Sequence, residues 1–117
     1  MPPLRVLVTD DVPDIVDTLR MLLKLWGHEV RTAGDGVEAV QVAAEFQPDV
    51  ALLDIRMPRM DGVNAARLIR QQVPGCRVYA LSATNPFLAG HGDVFDDFLL
   101  KPCNLEQLRS LLARAAG

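Results

Sequence analysis

The chain alternates between short apolar runs and longer segments whose apolar residues recur every three or four positions. Leu4-Arg5-Val6-Leu7-Val8-Thr9 is rich in β-formers and ends at Asp10-Asp11. Val12-Pro13-Asp14 then opens a helix in which Ile15, Leu19, Leu22, Leu23 and Trp26 share one stripe, with Asp17, Arg20 and Lys24 off it. Gly27 stands where the residue just past a helix end belongs. Glu29–Thr32 reads as a second strand, and Gly34-Asp35-Gly36 as a turn. Val37–Phe46 is helical through Ala39, Val40, Ala43 and Phe46, and Pro48 follows it. After a loop from Met57 to Gly62, Val63–Gln72 turns Ala65, Leu68 and Ile69 inward, with Ala66 as a further candidate. Pro74-Gly75 leads into Val78–Leu81, which ends at Ser82. Phe98-Leu99-Leu100 is a last short strand before Lys101-Pro102. Asn104 and Gln107 have the spacing of a capping box for a final helix striped by Leu105, Leu108, Leu111 and Leu112.

The run Val50-Ala51-Leu52-Leu53 is apolar at four successive positions, as in a strand buried on both faces. It ends in a carboxylate, Asp54. An ionised group beside such a strand requires water or a cation nearby, which marks Asp54 as the candidate reactive group.

Strands and helices alternate, which implies an α/β fold with a parallel sheet covered by helices on both faces. Ligands of such sheets bind outside the carboxyl ends of the strands. The residues expected at that rim are Asp10 and Asp11, Asp54, Ser82 and Lys101. Three carboxylates in one shallow pocket repel one another unless a cation joins them, and an all-oxygen donor set suits Mg²⁺ better than a softer metal. A solitary acid after a strand is an ordinary surface group; complementary polar groups at four strand ends point to a site.

Composition narrows the function classes. The 117 residues fit one domain, 1–117, and half of them are hydrophobic. No apolar run approaches the ~20 residues of a membrane span, and the opening Met-Pro-Pro-Leu-Arg lacks a signal-peptide pattern, so a cytoplasmic protein without membrane contact is expected. A net charge of -3 with no basic cluster gives no basis for nucleic-acid binding. Cys76 and Cys103 are too few for a disulfide framework or a zinc site and read as reduced thiols.

Taken in order, Asp10-Asp11, the run from Leu53 through Asp54-Ile55-Arg56-Met57-Pro58-Arg59-Met60-Asp61 to Gly62, Leu81-Ser82-Ala83 and the run Asp96-Asp97-Phe98-Leu99-Leu100-Lys101-Pro102 resemble the receiver domain of bacterial response regulators. The similarity spans essentially the whole chain and includes Gly27-His28-Glu29-Val30 and Asp35-Gly36-Val37-Glu38-Ala39. It implies a flavodoxin-like (βα)5 fold with strand order 2-1-3-4-5. It implies Asp54 as phosphoacceptor, attacking a phosphohistidine on a sensor histidine kinase or histidine phosphotransfer protein. By the same resemblance Asp10, Asp11, Asp54 and the backbone carbonyl of Arg56 would hold Mg²⁺, with Asp10 acting through a water. Ser82 and Lys101 would engage the phosphoryl group, Phe98 would move with it, and Arg56 and Thr84 would modulate the site. The Lys101-Pro102 bond is cis in the family, whereas trans is the default from sequence alone. A monomer or weak homodimer is expected.

Two departures stand out. Pro86, Gly90 and Gly92 interrupt the family's fourth helix, so a short or distorted element is expected there, and Val94-Phe95 replaces the usual Gly-Ala. No output domain follows the last helix of this sequence, which is read as a free-standing receiver or one cut from a larger protein, more similar to the terminal receivers of hybrid kinases than to DNA-binding regulators. The competing readings are a Mg²⁺-dependent aspartyl-nucleophile hydrolase, a flavodoxin-like electron carrier and a degenerate receiver that only binds partners. The first would want a second acid where Arg56 stands, and the second a phosphate-cradling loop where Asp10-Asp11-Val12-Pro13 stands.

Overall fold

The structure, a computed structural model, describes residues 3–56, 60–83, 90, 92–102 and 104–116. Among these residues are five strands, β1 (Arg5–Thr9), β2 (Glu29–Ala33), β3 (Val50–Asp54), β4 (Arg77–Ser82) and β5 (Asp97–Leu100), and four helices, α1 (Pro13–Leu25), α2 (Gly36–Phe46), α3 (Gly62–Gln72) and α4 (Leu105–Ala116). The strands form one parallel sheet in the order β2-β1-β3-β4-β5, as the resemblance implied.

The alternation of side chains along each strand divides the core in two. Leu7, Ala51, Leu53, Val78 and Ala80 face α2 and α3, where Ala39, Ala43, Ala65, Ala66 and Ile69 meet them. Val6, Val8, Val50, Leu52, Tyr79 and Leu81 face α1 and α4, which supply Leu19, Leu23, Leu108, Leu111 and Leu112. All five residues of β3 are buried, as its unbroken apolar run requires. Each fully buried leucine of this kind contributes roughly 1.5–3 kcal/mol of transfer free energy.

Helix boundaries follow their caps. Asp35 accepts a hydrogen bond from the Glu38 amide at 2.8 Å, Asp61 from Asn64 at 2.9 Å, and Asn104 from Gln107 at 3.1 Å. Gly27 follows α1 with φ +91°, the left-handed conformation expected just past a helix end. The inward stripes differ in part from the sequence expectation: Val40 in α2 and Leu68 in α3 are only half-buried, while Ala66 is buried. In α1 the buried residues are Val16, Leu19 and Leu23, while Ile15, Leu22 and Trp26 flank them half-buried. In α4 Leu105, the first residue of the helix, is 51% exposed, while Leu108, Leu111 and Leu112 are buried.

Val94 and Phe95 are both buried, packing into the cluster on the α2/α3 face. The next residue, Asp96, accepts hydrogen bonds from the Val78 amide at 2.8 Å and from Arg70 at 3.0 Å. The expected short or distorted fourth helix falls mainly on residues 84–89 and 91, outside the described residues. Cys76 is buried, and burial pushes its thiol up to about 12, so it is a packing residue; Cys103 lies outside the described residues. The Lys101-Pro102 peptide is cis. No helix among the described residues is long and apolar enough to cross a membrane.

Candidate functional site

The site forms where β1, β3 and β5 give way to loops at one rim of the sheet. Asp10 and Asp11 follow β1, Asp54 ends β3, and Lys101 follows β5. The carboxylates of Asp10, Asp11 and Asp54 each place one oxygen within 4.8 Å of the others. Asp10 is almost fully buried, Asp54 is 7% exposed, and Asp11 faces solvent.

Lys101 crosses the rim to join the two buried acids. Its Nζ donates to Asp10 Oδ2 at 2.8 Å and lies 3.2 Å from Asp54 Oδ2. The remaining oxygens are held by backbone. The Val12 amide donates to Asp10 Oδ1 at 3.0 Å, and the Arg56 amide to Asp54 Oδ1 at 3.2 Å. Asp54 is therefore fixed from two sides, with its carboxylate at the mouth of the rim.

The electrostatics follow from this crowding. Burial and the charge of Asp10 raise the pKa of Asp54 above the ordinary 3.8, and the Lys101 ammonium and Arg56 amide offset this only in part. Burial pulls the Lys101 ammonium down, but the Asp10 hydrogen bond and the Asp54 charge outweigh it and leave its pKa above the ordinary value. One ammonium thus serves two buried carboxylates beside a third. An oxygen-only donor set with surplus negative charge fits a hard divalent cation such as Mg²⁺.

Ser82 ends β4 and is buried; its carbonyl accepts from the Lys101 amide at 2.8 Å, tying the last two strands together at the rim. Phe98 pairs with Ala80 in the sheet and lies half-buried against the α2/α3 cluster. Arg56 is exposed beyond Asp54. Thr84 falls outside the described residues. The prominence of Asp10 is the point the sequence did not convey. It is the shorter partner of Lys101, a fact set by the cross-sheet path of a side chain 91 positions away. Beside Lys101, an apolar groove of about 300 Å³ is lined by Asp14, Ile15, Thr18, Leu22 and Leu105, among others.

Comparison with known proteins agrees with this arrangement. The family model of the response regulator receiver domain matches residues 6–113. The transcriptional regulatory protein PrrA of Mycobacterium tuberculosis is 44% identical over 107 residues, which cover 89% of this chain and 46% of that protein. The response regulator MprA of a Mycobacterium species is 37% identical over 121 residues, covering 97% and 53%. Among solved structures, the Vibrio cholerae chemotaxis protein CheY4 superposes with a TM-score of 0.87 at 31% identity, over 97% of this chain and 99% of that one. The Thermotoga maritima response regulator TrrA, solved in complex with Mg²⁺-BeF, gives 0.86 at 28% identity over 95% and 97%.

The fold and site are those of a two-component signalling receiver, and the chain belongs to the response regulator receiver domain family. It spans about half the length of the curated relatives it matches. Those relatives are regulators, so the expected leaning toward hybrid-kinase receivers finds no counterpart among them.

Proposed function

We propose that Asp54 is the phosphoacceptor of this receiver, taking a phosphoryl group from a phosphohistidine on a sensor histidine kinase or a histidine phosphotransfer protein. The observation that carries this reading is the position of Asp54, a carboxylate with raised pKa at the end of a fully buried strand, fixed by Lys101 and by the Arg56 amide. A carboxylate oxygen of Asp54 attacks phosphorus. The phosphorus–nitrogen bond of the donor breaks, the acyl phosphate bond forms, and the departing imidazole takes up a proton.

The protein's contribution is to position groups and to neutralise charge on the transferred oxygens. Lys101 neutralises the phosphoryl oxygens, exchanging one of its carboxylate partners for them. Ser82 donates a hydrogen bond from the neighbouring strand end, and Phe98 repacks as Ser82 is drawn to the new charge. Asp11, Asp54 and the carbonyl of Arg56 would hold Mg²⁺, with Asp10 helping through a water, and the ion would supply further neutralisation of the developing charge. Arg56, exposed above the acceptor, modulates how long the phosphoryl group survives, and Thr84 contributes to the same control. The apolar groove beside Lys101 gives a protein donor a surface to rest against. The protein works in the cytoplasm as a signalling module that promotes its own phosphorylation and dephosphorylation, and the added charge shifts a pre-existing conformational equilibrium.

Incubation with Mg²⁺ and a small phosphodonor, followed by intact mass measurement, tests the reading. Wild type gains one phosphoryl group and Asp54→Asn gains none; equal labelling of the two would overturn the assignment.

A further inference from the structure

Two glycines close the chain around the acceptor at distances that no side chain would allow. Gly62, the first residue of α3, lies against the backbone of Asp54. A Cβ there would come within 2.2 Å of the Asp54 carbonyl oxygen and 2.8 Å of the Ile55 Cα. The Gly62 amide also donates to the Ile55 carbonyl at 2.8 Å. The start of α3 is thus held directly against the end of β3. Gly36, the first residue of α2, makes the second contact. A Cβ there would lie 2.1 Å from the Met60 carbonyl oxygen and 2.8 Å from the Met60 Cβ, so α2 bears on the backbone just before α3 begins. Both glycines are buried. By contrast, a Cβ at Gly34 or Gly75 would meet nothing within 4 Å.

We infer that Gly36 and Gly62 are positioning residues for the acidic site, two backbone contacts that hold Met60 and the start of α3 against the end of β3, so that the Arg56 peptide sits at the Asp54 carboxylate. This rests on the proposed role of Asp54, Asp10, Asp11 and the Arg56 carbonyl. The physical reason is that the Arg56 amide already donates to Asp54 Oδ1, and its carbonyl belongs to the peptide that follows in the same short segment. A methyl at either glycine pushes rigid parts of the chain, since the atoms in its way are carbonyls, a Cα and the Met60 Cβ, not the flexible end of a side chain. A displacement of the order of 1 Å at a reacting centre lowers rates on the order of 10²-fold, and loss of support for a metal ligand weakens metal binding by roughly 10–100-fold. None of the three nearest atoms around a Cβ at Gly36 belongs to a site residue, so its effect reaches the site through Met60 and the start of α3, which Gly62 holds against Asp54.

The test compares Mg²⁺ affinity, read from backbone amide chemical shifts, in wild type, Gly36→Ala, Gly62→Ala and the controls Gly34→Ala and Gly75→Ala, each well below its melting temperature. Expected is a loss of roughly 10-fold or more in Mg²⁺ affinity for Gly36→Ala and Gly62→Ala, with both controls near wild type. Folded variants that lose stability but bind Mg²⁺ like wild type would overturn the inference, leaving the glycines as packing residues only. Hydrogen exchange of the Gly62 amide in unaltered protein needs no variant to fold. Mg²⁺ slows that exchange if the Gly62–Ile55 bond and the site are coupled, and an unchanged rate contradicts the coupling. Wild-type protein that binds no Mg²⁺ would bring down the site assignment itself, and with it this inference.

Discussion

The two ends of β3 each carry an aspartate, and the pair shows how the same residue type serves opposite purposes. Asp49, just before the strand, accepts a hydrogen bond from the Arg5 amide at 2.9 Å, while its own amide donates to the Arg5 carbonyl at 2.8 Å and its carbonyl accepts from Arg77 at 2.9 Å. It stitches three neighbouring strands and is exposed to water. Asp54, at the other end, is buried beside Asp10 and shares one ammonium with it. His28 extends the contrast. At the Asp49 rim its Nδ1 accepts from the buried Leu4 amide at 3.0 Å, so a polar group is matched to backbone. At one rim Asp49 and His28 Nδ1 are matched to backbone amides, although His28 Nε2 is buried without a partner; the other rim has more negative charge than its lysine can balance. A surplus of that kind is retained where a cation or a phosphoryl group is to be received.

The largest expected effect comes from removing the single ammonium of the crowded rim. Lys101→Ala lowers the rate of phosphorylation on the order of 10²–10³-fold, read by the time course of intact mass with a small phosphodonor, and the variant remains folded. His28→Ala, at the opposite rim, should do the reverse. It leaves the Leu4 amide buried without a partner and costs about 1–3 kcal/mol of stability, measured by denaturant unfolding, with labelling unchanged.

The same histidine sets a pH dependence. Burial holds its pKa below the ordinary 6.5, so the unfolded chain binds the proton first. Its contribution is complete above the unfolded value and is lost as pH falls from there through the folded value. The stability difference between wild type and His28→Gln should therefore change as pH drops below about 6.5; a difference constant from pH 8 to 5 would contradict it. The smallest effect is expected from Asp49→Ala, about 0.5–1.5 kcal/mol of stability for one exposed hydrogen-bonded carboxylate, without change in labelling. If Asp49→Ala slowed labelling as much as Lys101→Ala, the distinction between the two rims would fail.

Much of this was legible in the sequence because the signals were local. The unbroken Val50–Leu53 run required a strand buried on both faces, and β3 is one. Asn104 and Gln107 stood at capping distance and are bonded so. Ser82 and Lys101 were expected at strand ends because each follows an apolar run, and there they are. What was not legible depends on three-dimensional approach. Nothing in the spacing of α1 favours Val16 over Ile15, since both lie near the boundary of the stripe and the tilt of the helix on the sheet decides between them. The closer pairing of Lys101 with Asp10 arises across the sheet. The nearness of Gly36 to Met60 belongs to the packing of α2 beside the β3–α3 connection, which no pattern within either segment encodes. The Val94-Phe95 pair looked like a departure at the signalling end of the chain; in the structure both residues are core.

If Asp54 is the phosphoacceptor, the phosphoryl group resides there and nowhere else. Borohydride reduction of protein labelled in the presence of Mg²⁺ converts an acyl phosphate on aspartate to homoserine, which peptide mass mapping locates by position. Homoserine is expected at position 54 alone, and none without phosphodonor. Homoserine at position 10 or 11, or labelled protein with none at 54, would contradict it.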